Sequence, residues 1–331
     1  MKKTKLILFL IAIISMVNPV SRINAEQKAP EKISIGIQDN TIVAIVLVAK
    51  AKGFFAKEGL DASINRYPSG KLALEAMLKK EVDIATVSDI PIVMESFNRD
   101  DFLILSGIAY SDKGIWVIAR KDRGINRASD LKGKRIAVQE NSAGHFFLSV
   151  FLLHNYMLAS DVDIVYMQPQ DMAQAFINGD IDAFSFRNPY IAQAKAALAD
   201  KTVEFFEPGV YRQTFNLVGN RGFIKEKPEV IKKILKALLK AEALIRDNSE
   251  EAEKAVTTQL GKEREKEVID DWNIYQFDVS LEQSLIITLE DIARWAVKSG
   301  LTQKKGIPNY LDFIYSEALD GIDPDSVTII K

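Results

Sequence analysis

Two stretches of the chain, about a hundred residues apart, repeat one another. Ile37-Gln38-Asp39-Asn40-Thr41 is matched by Val138-Gln139-Glu140-Asn141-Ser142. Further on, Tyr67-Pro68-Ser69 lies opposite Gln168-Pro169-Gln170. Then Ala76-Met77-Leu78-Lys79-Lys80-Glu81-Val82-Asp83-Ile84-Ala85 lies opposite Ala175-Phe176-Ile177-Asn178-Gly179-Asp180-Ile181-Asp182-Ala183-Phe184. Single matches of this kind arise from shared turn chemistry. Three in order, at offsets of 101, 101 and 99 residues, indicate one unit built twice. Pockets form preferentially where two such units meet.

Each copy alternates strand and helix. Ile33 to Ile37, Ala62 to Arg66 and Val82 to Val87 read as strands, and residues 42–55 and 72–79 read as helices. The second copy offers strands at Arg135 to Val138, Ile164 to Met167 and Ala183 to Phe186. Its helices span His145 to Met157 and Met172 to Ile177, with a third running from Asn188-Pro189 through Leu198. Strands separated by helices of this length predict βαβ units and a mainly parallel sheet in each copy. Gly114 to Arg120 and Thr214 to Val218 read as strand-like connectors. Beyond them Ile231, Ile234, Leu235, Leu238 and Leu239 form one apolar stripe of a helix over residues 229–248. This tail has no counterpart in the second copy and is expected to pack back on the first. The fold class expected is therefore α/β with two lobes, each a parallel-rich sheet flanked by helices, joined by two hinge crossovers. The first lobe would comprise residues 26–112 and 219–331, the second residues 113–218.

The first 25 residues read as a secretory signal. Lys2, Lys3 and Lys5 precede a 12-residue apolar run from Leu6 to Val17, and Ile23-Asn24-Ala25 supplies the small residues of a cleavage site. The run is short for a permanent anchor, which needs about 20 apolar residues. Removing four basic residues with the signal leaves 39 basic against 45 acidic, a net charge of −6. A nucleic-acid binder would need a basic face instead. The chain has no cysteine, which removes a lipidated N-terminal Cys, a thiol nucleophile and any Cys-ligated metal. A monomer in the periplasm of a double-membraned cell is expected, without cofactor or metal.

In parallel α/β sheets, ligands bind where strands run into helices at their carboxyl ends. The repeat places those loops at Gln38, Asp39, Asn40 and Thr41, at Tyr67 and Ser69, and at Ser88 and Asp89 in the first copy. In the second they hold Glu140, Asn141, Ser142, Gly144 and His145, then Phe186, Arg187, Asn188 and Tyr190. Tyr110, near a crossover, completes the candidates. Ser, Thr, Asn and Asp at such positions are helix caps in their own right. Several helix amino ends converging on one cleft also suit an anion. Arg187 stands out, because a guanidinium there can grip a sulfonate, carboxylate or nitrate bidentately. Acids at positions 39, 89 and 140 keep a zwitterion such as taurine among the candidates. Catalytic signatures are absent from the sequence. The two histidines, His145 and His154, fall on opposite helix faces, and Glu140 stands where a nucleophile elbow needs glycine.

The segments Asp83-Ile84-Ala85-Thr86-Val87-Ser88-Asp89-Ile90-Pro91, Asp130-Leu131-Lys132-Gly133-Lys134-Arg135-Ile136-Ala137-Val138 and Gly179-Asp180-Ile181-Asp182-Ala183, with Asn188-Pro189-Tyr190, carry a resemblance. The chain resembles the solute-binding proteins of ABC importers for sulfonates, taurine, nitrate and thiamine-precursor pyrimidines. The resemblance implies a type II periplasmic-binding-protein fold, a small-molecule ligand held by closing lobes, and permease and ATPase partners at the inner membrane. A pyrimidine precursor is the alternative ligand. A ligand-binding sensor subunit is the alternative role.

Overall fold

The computed structural model describes residues 29–330; the signal read over residues 1–25 lies outside the described residues. Among these residues no helix is long and apolar enough to cross a membrane. The first run comprises β1 (Glu31–Gln38), α1 (Ala44–Ala51), α2 (Phe54–Lys57), β2 (Leu60–Tyr67), α3 (Gly70–Leu78), β3 (Ile84–Ser88), α4 (Asp89–Ser96) and β4 (Phe102–Ser111). The second comprises β5 (Trp116–Arg120), β6 (Arg135–Val138), α5 (Ala143–His154), β7 (Asp163–Tyr166), α6 (Pro169–Asn178), β8 (Ala183–Phe186), α7 (Tyr190–Leu198) and β9 (Thr202–Phe205). The chain then returns through β10 (Gln213–Asn220) into α8 (Arg221–Glu226), α9 (Pro228–Asp247), α10 (Ser249–Leu260), α11 (Glu265–Trp272), α12 (Gln283–Lys298) and α13 (Glu317–Asp320).

The repeat read in the sequence is a repeat of sheet topology. One sheet runs β2-β1-β3-β10-β4 and the other β7-β6-β8-β5-β9. The register is copied with the order. Ile35 and Gly36 face Ile84 and Ala85, and their counterparts Ile136 and Ala137 face Ala183 and Phe184. On the other side Ile35 faces Ile64, and Ile136 faces Ile164. That pairing aligns Tyr67 with Met167, one residue from the match suggested by Tyr67-Pro68-Ser69. In each sheet the fourth strand is antiparallel and reaches it across a crossover. β10 returns to the first sheet after the second is complete, and β5 enters the second directly after the first. The strands therefore cross at residues 112–115 and 206–212. β4 and β9, the outer partners of these strands, were not legible from the repeat.

The tail packs on the first sheet's helices, as its apolar stripe predicts. α9 lies against α1 and α2, and α12 against α4. Ile231, Ile234, Leu235 and Leu238 are fully buried, each contributing about 1.5–3 kcal/mol of apolar transfer. The second sheet has its own smaller core of Ile118, Met172, Phe176, Phe184 and Ile191 on the α6 and α7 side. One tail helix also reaches the second lobe. Trp295 of α12 donates its indole N–H to Ser149 Oγ at 3.0 Å and packs edge-on against Phe146.

Glu242 sits on α9 beside Asp278. Burial first, and that neighbouring charge second, push its carboxyl up to about 7. A raised carboxyl contributes stability that is present below its unfolded value near 4.5 and is lost as pH rises through about 7. Glu242→Gln is therefore expected to raise the unfolding midpoint above about pH 7 and to leave it nearly unchanged near pH 5. Thermal unfolding across that pH range checks the sign.

Candidate functional site

A cleft lies between the two sheets, with the crossover segments at its back. It has two chambers. The first, about 440 Å³, is bordered by Gln38, Ser69, Ser88, Glu140, Asn141, Ser142, Gly144 and Phe186, with Ile115 from a crossing and Gln213 from the start of β10. The second, about 510 Å³, is bordered by Asp39, Asn40, Trp116, Asn188, Tyr190, Asp271 and Tyr275. Arg187 borders both. The amino ends of α3, α4, α5, α6 and α7 all meet this cleft, contributed by Ser69, Ser88, Ser142, Gln168 and Tyr190.

Two glycines fix these ends against the sheets. A Cβ on Gly144 would stand 2.6 Å from Ser185 O, so α5 can begin against the end of β8 only with glycine there. Ser185 Oγ donates to Gly144 O at 2.9 Å and locks the contact. A Cβ on Gly70 would stand 3.1 Å from Val87 Cα, and the Gly70 N–H donates to Gln38 Oε1 at 3.1 Å. Phe186 and Arg187 follow directly from the strand end that Gly144 touches.

The predicted caps divide into committed and free. Ser142 accepts from the His145 N–H at 3.3 Å and donates to Gln139 O at 2.6 Å. Ser69 accepts from the Leu72 N–H at 3.3 Å. Asn188 accepts from the Ala192 N–H at 3.2 Å. Ser88 precedes α4 without a side-chain capping bond, so its hydroxyl faces the first chamber uncommitted. Asn141 takes a left-handed backbone (φ +56) that asparagine tolerates well, and it borders the same chamber.

Five expected residues lie elsewhere. Asp89 is fully buried beneath the cleft, because the residue after a strand end turns inward as α4 begins. It accepts from Tyr211 Oη at 2.7 Å, the Ile90 N–H at 2.8 Å and the Thr214 N–H at 3.0 Å. His145 is one position, about 100°, around α5 from Gly144. It is buried against the rings of Tyr166 and Trp295, and burial pushes it down to about 4, neutral at physiological pH. Tyr110 donates to Gln276 Oε1 at 2.6 Å with Arg212 stacked on its ring at 3.5 Å, away from both chambers. Tyr67 packs over Gly36, 3.2 Å from where a Cβ would stand. Thr41 is fully buried behind the second chamber.

The charges in the second chamber are mostly paired. Asp39 bonds Arg66 at 2.7 Å and Arg264 at 3.3 Å. Arg264 also bonds Glu267 at 2.5 Å, and Lys266 bonds Asp270 at 2.5 Å. Asp39 thus brings no unpaired charge to the cleft. Two groups have no ion-pair partner among the described residues: Arg187 from the second lobe and Asp271 from α11 of the tail. Burial, and then the charge of Glu267, push the Asp271 carboxyl up to about 6, against the Thr41 hydroxyl and Arg187, which hold it down. The Arg187 guanidinium rests 5.6 Å from the Phe186 ring. The α11 residues escaped the sequence reading, because the tail has no second copy to point at them. The adjacent acids Asp270 and Asp271 beside Trp272 and Tyr275 were the one available signal.

A family model described as NMT1/THI5 like matches residues 40–252. A Bacillus subtilis (strain 168) protein assigned as an aliphatic sulfonates-binding protein is 27% identical over 239 residues, 69% of this chain and 70% of its own length. Among solved structures, the periplasmic aliphatic sulphonate binding protein SsuA from Escherichia coli matches with a TM-score of 0.71 at 21% identity, covering 87% of this chain and 99% of that one. The periplasmic nitrate-binding protein NrtA from Synechocystis PCC 6803 matches with a TM-score of 0.64 at 15% identity, covering 88% and 89%. The fold is the two-lobe α/β architecture of periplasmic binding proteins.

Proposed function

This chain belongs to the NMT1/THI5-like family, and from that premise we propose that it is the substrate-binding component of an ABC importer in the periplasm. It takes a small organic anion or zwitterion, with alkanesulfonates and taurine first, into the cleft between its lobes. Ligand bridges the lobes, stabilises a closed state, and the closed form delivers it to the permease and ATPase. The role is binding rather than catalysis.

The observation that carries this reading is Arg187. It stands at the seam of both chambers with no carboxylate within ion-pair distance among the described residues. Hydroxyl and amide side chains and helix amino ends surround it. A cation left unmatched in a half-buried cleft favours an anion that brings its own charge. The names of the relatives reported above support the same ligand class. A pyrimidine precursor is the second reading, favoured by the aromatic walls Trp116, Tyr190 and Tyr275 beside Asp271.

A thermal-unfolding screen of ethanesulfonate, taurine, nitrate, acetate and an aminopyrimidine separates these. A ligand at 100 times its dissociation constant stabilises by about 2.7 kcal/mol. The sulfonates are expected to raise the midpoint. A response to the aminopyrimidine alone would transfer the proposal to the second reading.

A further inference from the structure

The two chambers differ in chemistry. The first is walled by hydroxyls, amides and helix amino ends, which suit an anionic head. The second has aromatic walls and a carboxylate, Asp271, whose basic neighbours Arg264 and Lys266 are already held by other acids. Tyr275 and Trp116 flank it, and burial pushes the Tyr275 hydroxyl upward, so it stays neutral. Asn40 Oδ1 on the chamber wall has no hydrogen-bond partner among the described residues, and Thr41 is fully buried beside Asp271. Each chamber alone falls within the range of about 300–1,000 Å³ that holds a drug-sized ligand. Nitrate or taurine would occupy a small part of this space.

We infer that the second chamber receives the ammonium-bearing, ring-containing end of an extended zwitterion, with Asp271 as its counter-charge and Arg187 holding the anionic end. The inference rests on the reading of this cleft as an organic-anion site and narrows its ligand. It follows from the two unmatched charges. Arg187 and Asp271 come from opposite lobes, and a zwitterion laid between them satisfies both at once. The aromatic walls add attraction for a cationic ring. Glu140 is the other acid on the cleft without an ion-pair partner among the described residues, but it is solvent-exposed on the first chamber's rim and screened accordingly.

Calorimetry with three probes tests this: propanesulfonate, piperidinium-propanesulfonate, and its isosteric cyclohexyl-propanesulfonate. The wild-type protein should bind the piperidinium probe about 10-fold or more tighter than the cyclohexyl one. Asp271→Asn should erase that preference while leaving propanesulfonate within about twofold, and Asp271→Glu should keep part of it. The retained propanesulfonate affinity shows that each variant is folded. A preference that survives Asp271→Asn, or vanishes in Glu140→Gln instead, would overturn the assignment of Asp271. So would equal tightening of all three probes in Asp271→Asn, which would make Asp271 only a competitor for Arg187. Wild-type binding of propanesulfonate with no preference between the two ring probes would overturn the inference and leave the organic-anion reading standing. Failure of all three to bind would overturn both.

Discussion

Asp89→Ala is expected to destabilise the protein by about 3 kcal/mol or more, because it strands three buried donors, the Tyr211 hydroxyl and the Ile90 and Thr214 N–H groups, at roughly 1–3 kcal/mol each. The Tyr211 hydroxyl and the Thr214 N–H both donate to this carboxyl, and Asp89 is fully buried. Tyr211 lies in the return crossover and Thr214 in β10, so the carboxyl ties the crossover to the start of α4. The Tyr211 ring also packs edge-on against Phe146 of the second lobe, with centroids 4.9 Å apart. The pH dependence has a definite sign. Burial raises the Asp89 carboxyl from 3.8 to about 6, over the opposing pull of its hydrogen bonds. Its contribution is then fully present below about 3.8 and is lost as pH rises through about 6. The gap between wild type and Asp89→Ala should therefore be wider near pH 5 than above pH 7. Asp89→Asn should still destabilise, because the NH2 end of an amide turns a donor toward a donor at one of the two carboxyl oxygens. Denaturant midpoints at the two pH values measure both effects.

Arg187→Ala is expected to weaken binding of an alkanesulfonate by about 10-fold or more, the equivalent of one charge-assisted contact of roughly 1.5–3 kcal/mol. Stability without ligand should hardly change, since the guanidinium is half-buried, has no ion-pair partner among the described residues, and rests 5.6 Å from the Phe186 ring. Arg187→Lys keeps the charge but loses the planar fork and should fall between. Calorimetric titration of the three proteins with ethanesulfonate reads this directly. Equal affinity in all three would remove Arg187 from the site. The pairing of Ser88 with Arg187 gives the effect its direction. The two residues occupy matched positions at the ends of β3 and β8, and both border the first chamber. One copy offers a neutral hydroxyl and the other a cation.

The frame of this protein was legible because a repeat doubles every local signal. β1 and β6, β2 and β7, and β3 and β8 were each readable twice, and the loops after them converge on one cleft. What stayed hidden depended on facing and on tertiary packing. Asp89 and His145 each sit one residue from a cleft-lining neighbour, Ser88 and Gly144. A single step along a chain entering a helix turns a side chain from the cleft into the core. Sequence identifies the loop, but the direction of each side chain is set by how closely the helix end meets the sheet. The tail was placed on the first lobe by its apolar stripe. Its contribution of Asp271 and Tyr275 to the second chamber required the path of α11 past Asn40, which no local pattern encodes. Tyr110 and Tyr67 misled for a simpler reason. An aromatic ring near a crossover or strand end finds packing partners as readily as a ligand, here Arg212 and Gly36.

The central claim is that ligand bridges two lobes and closes them. Small-angle scattering with and without saturating sulfonate, at a concentration where calorimetry shows the site filled, tests it most directly. A smaller radius of gyration in the filled protein is the predicted result. An unchanged scattering profile with the site demonstrably full would contradict it.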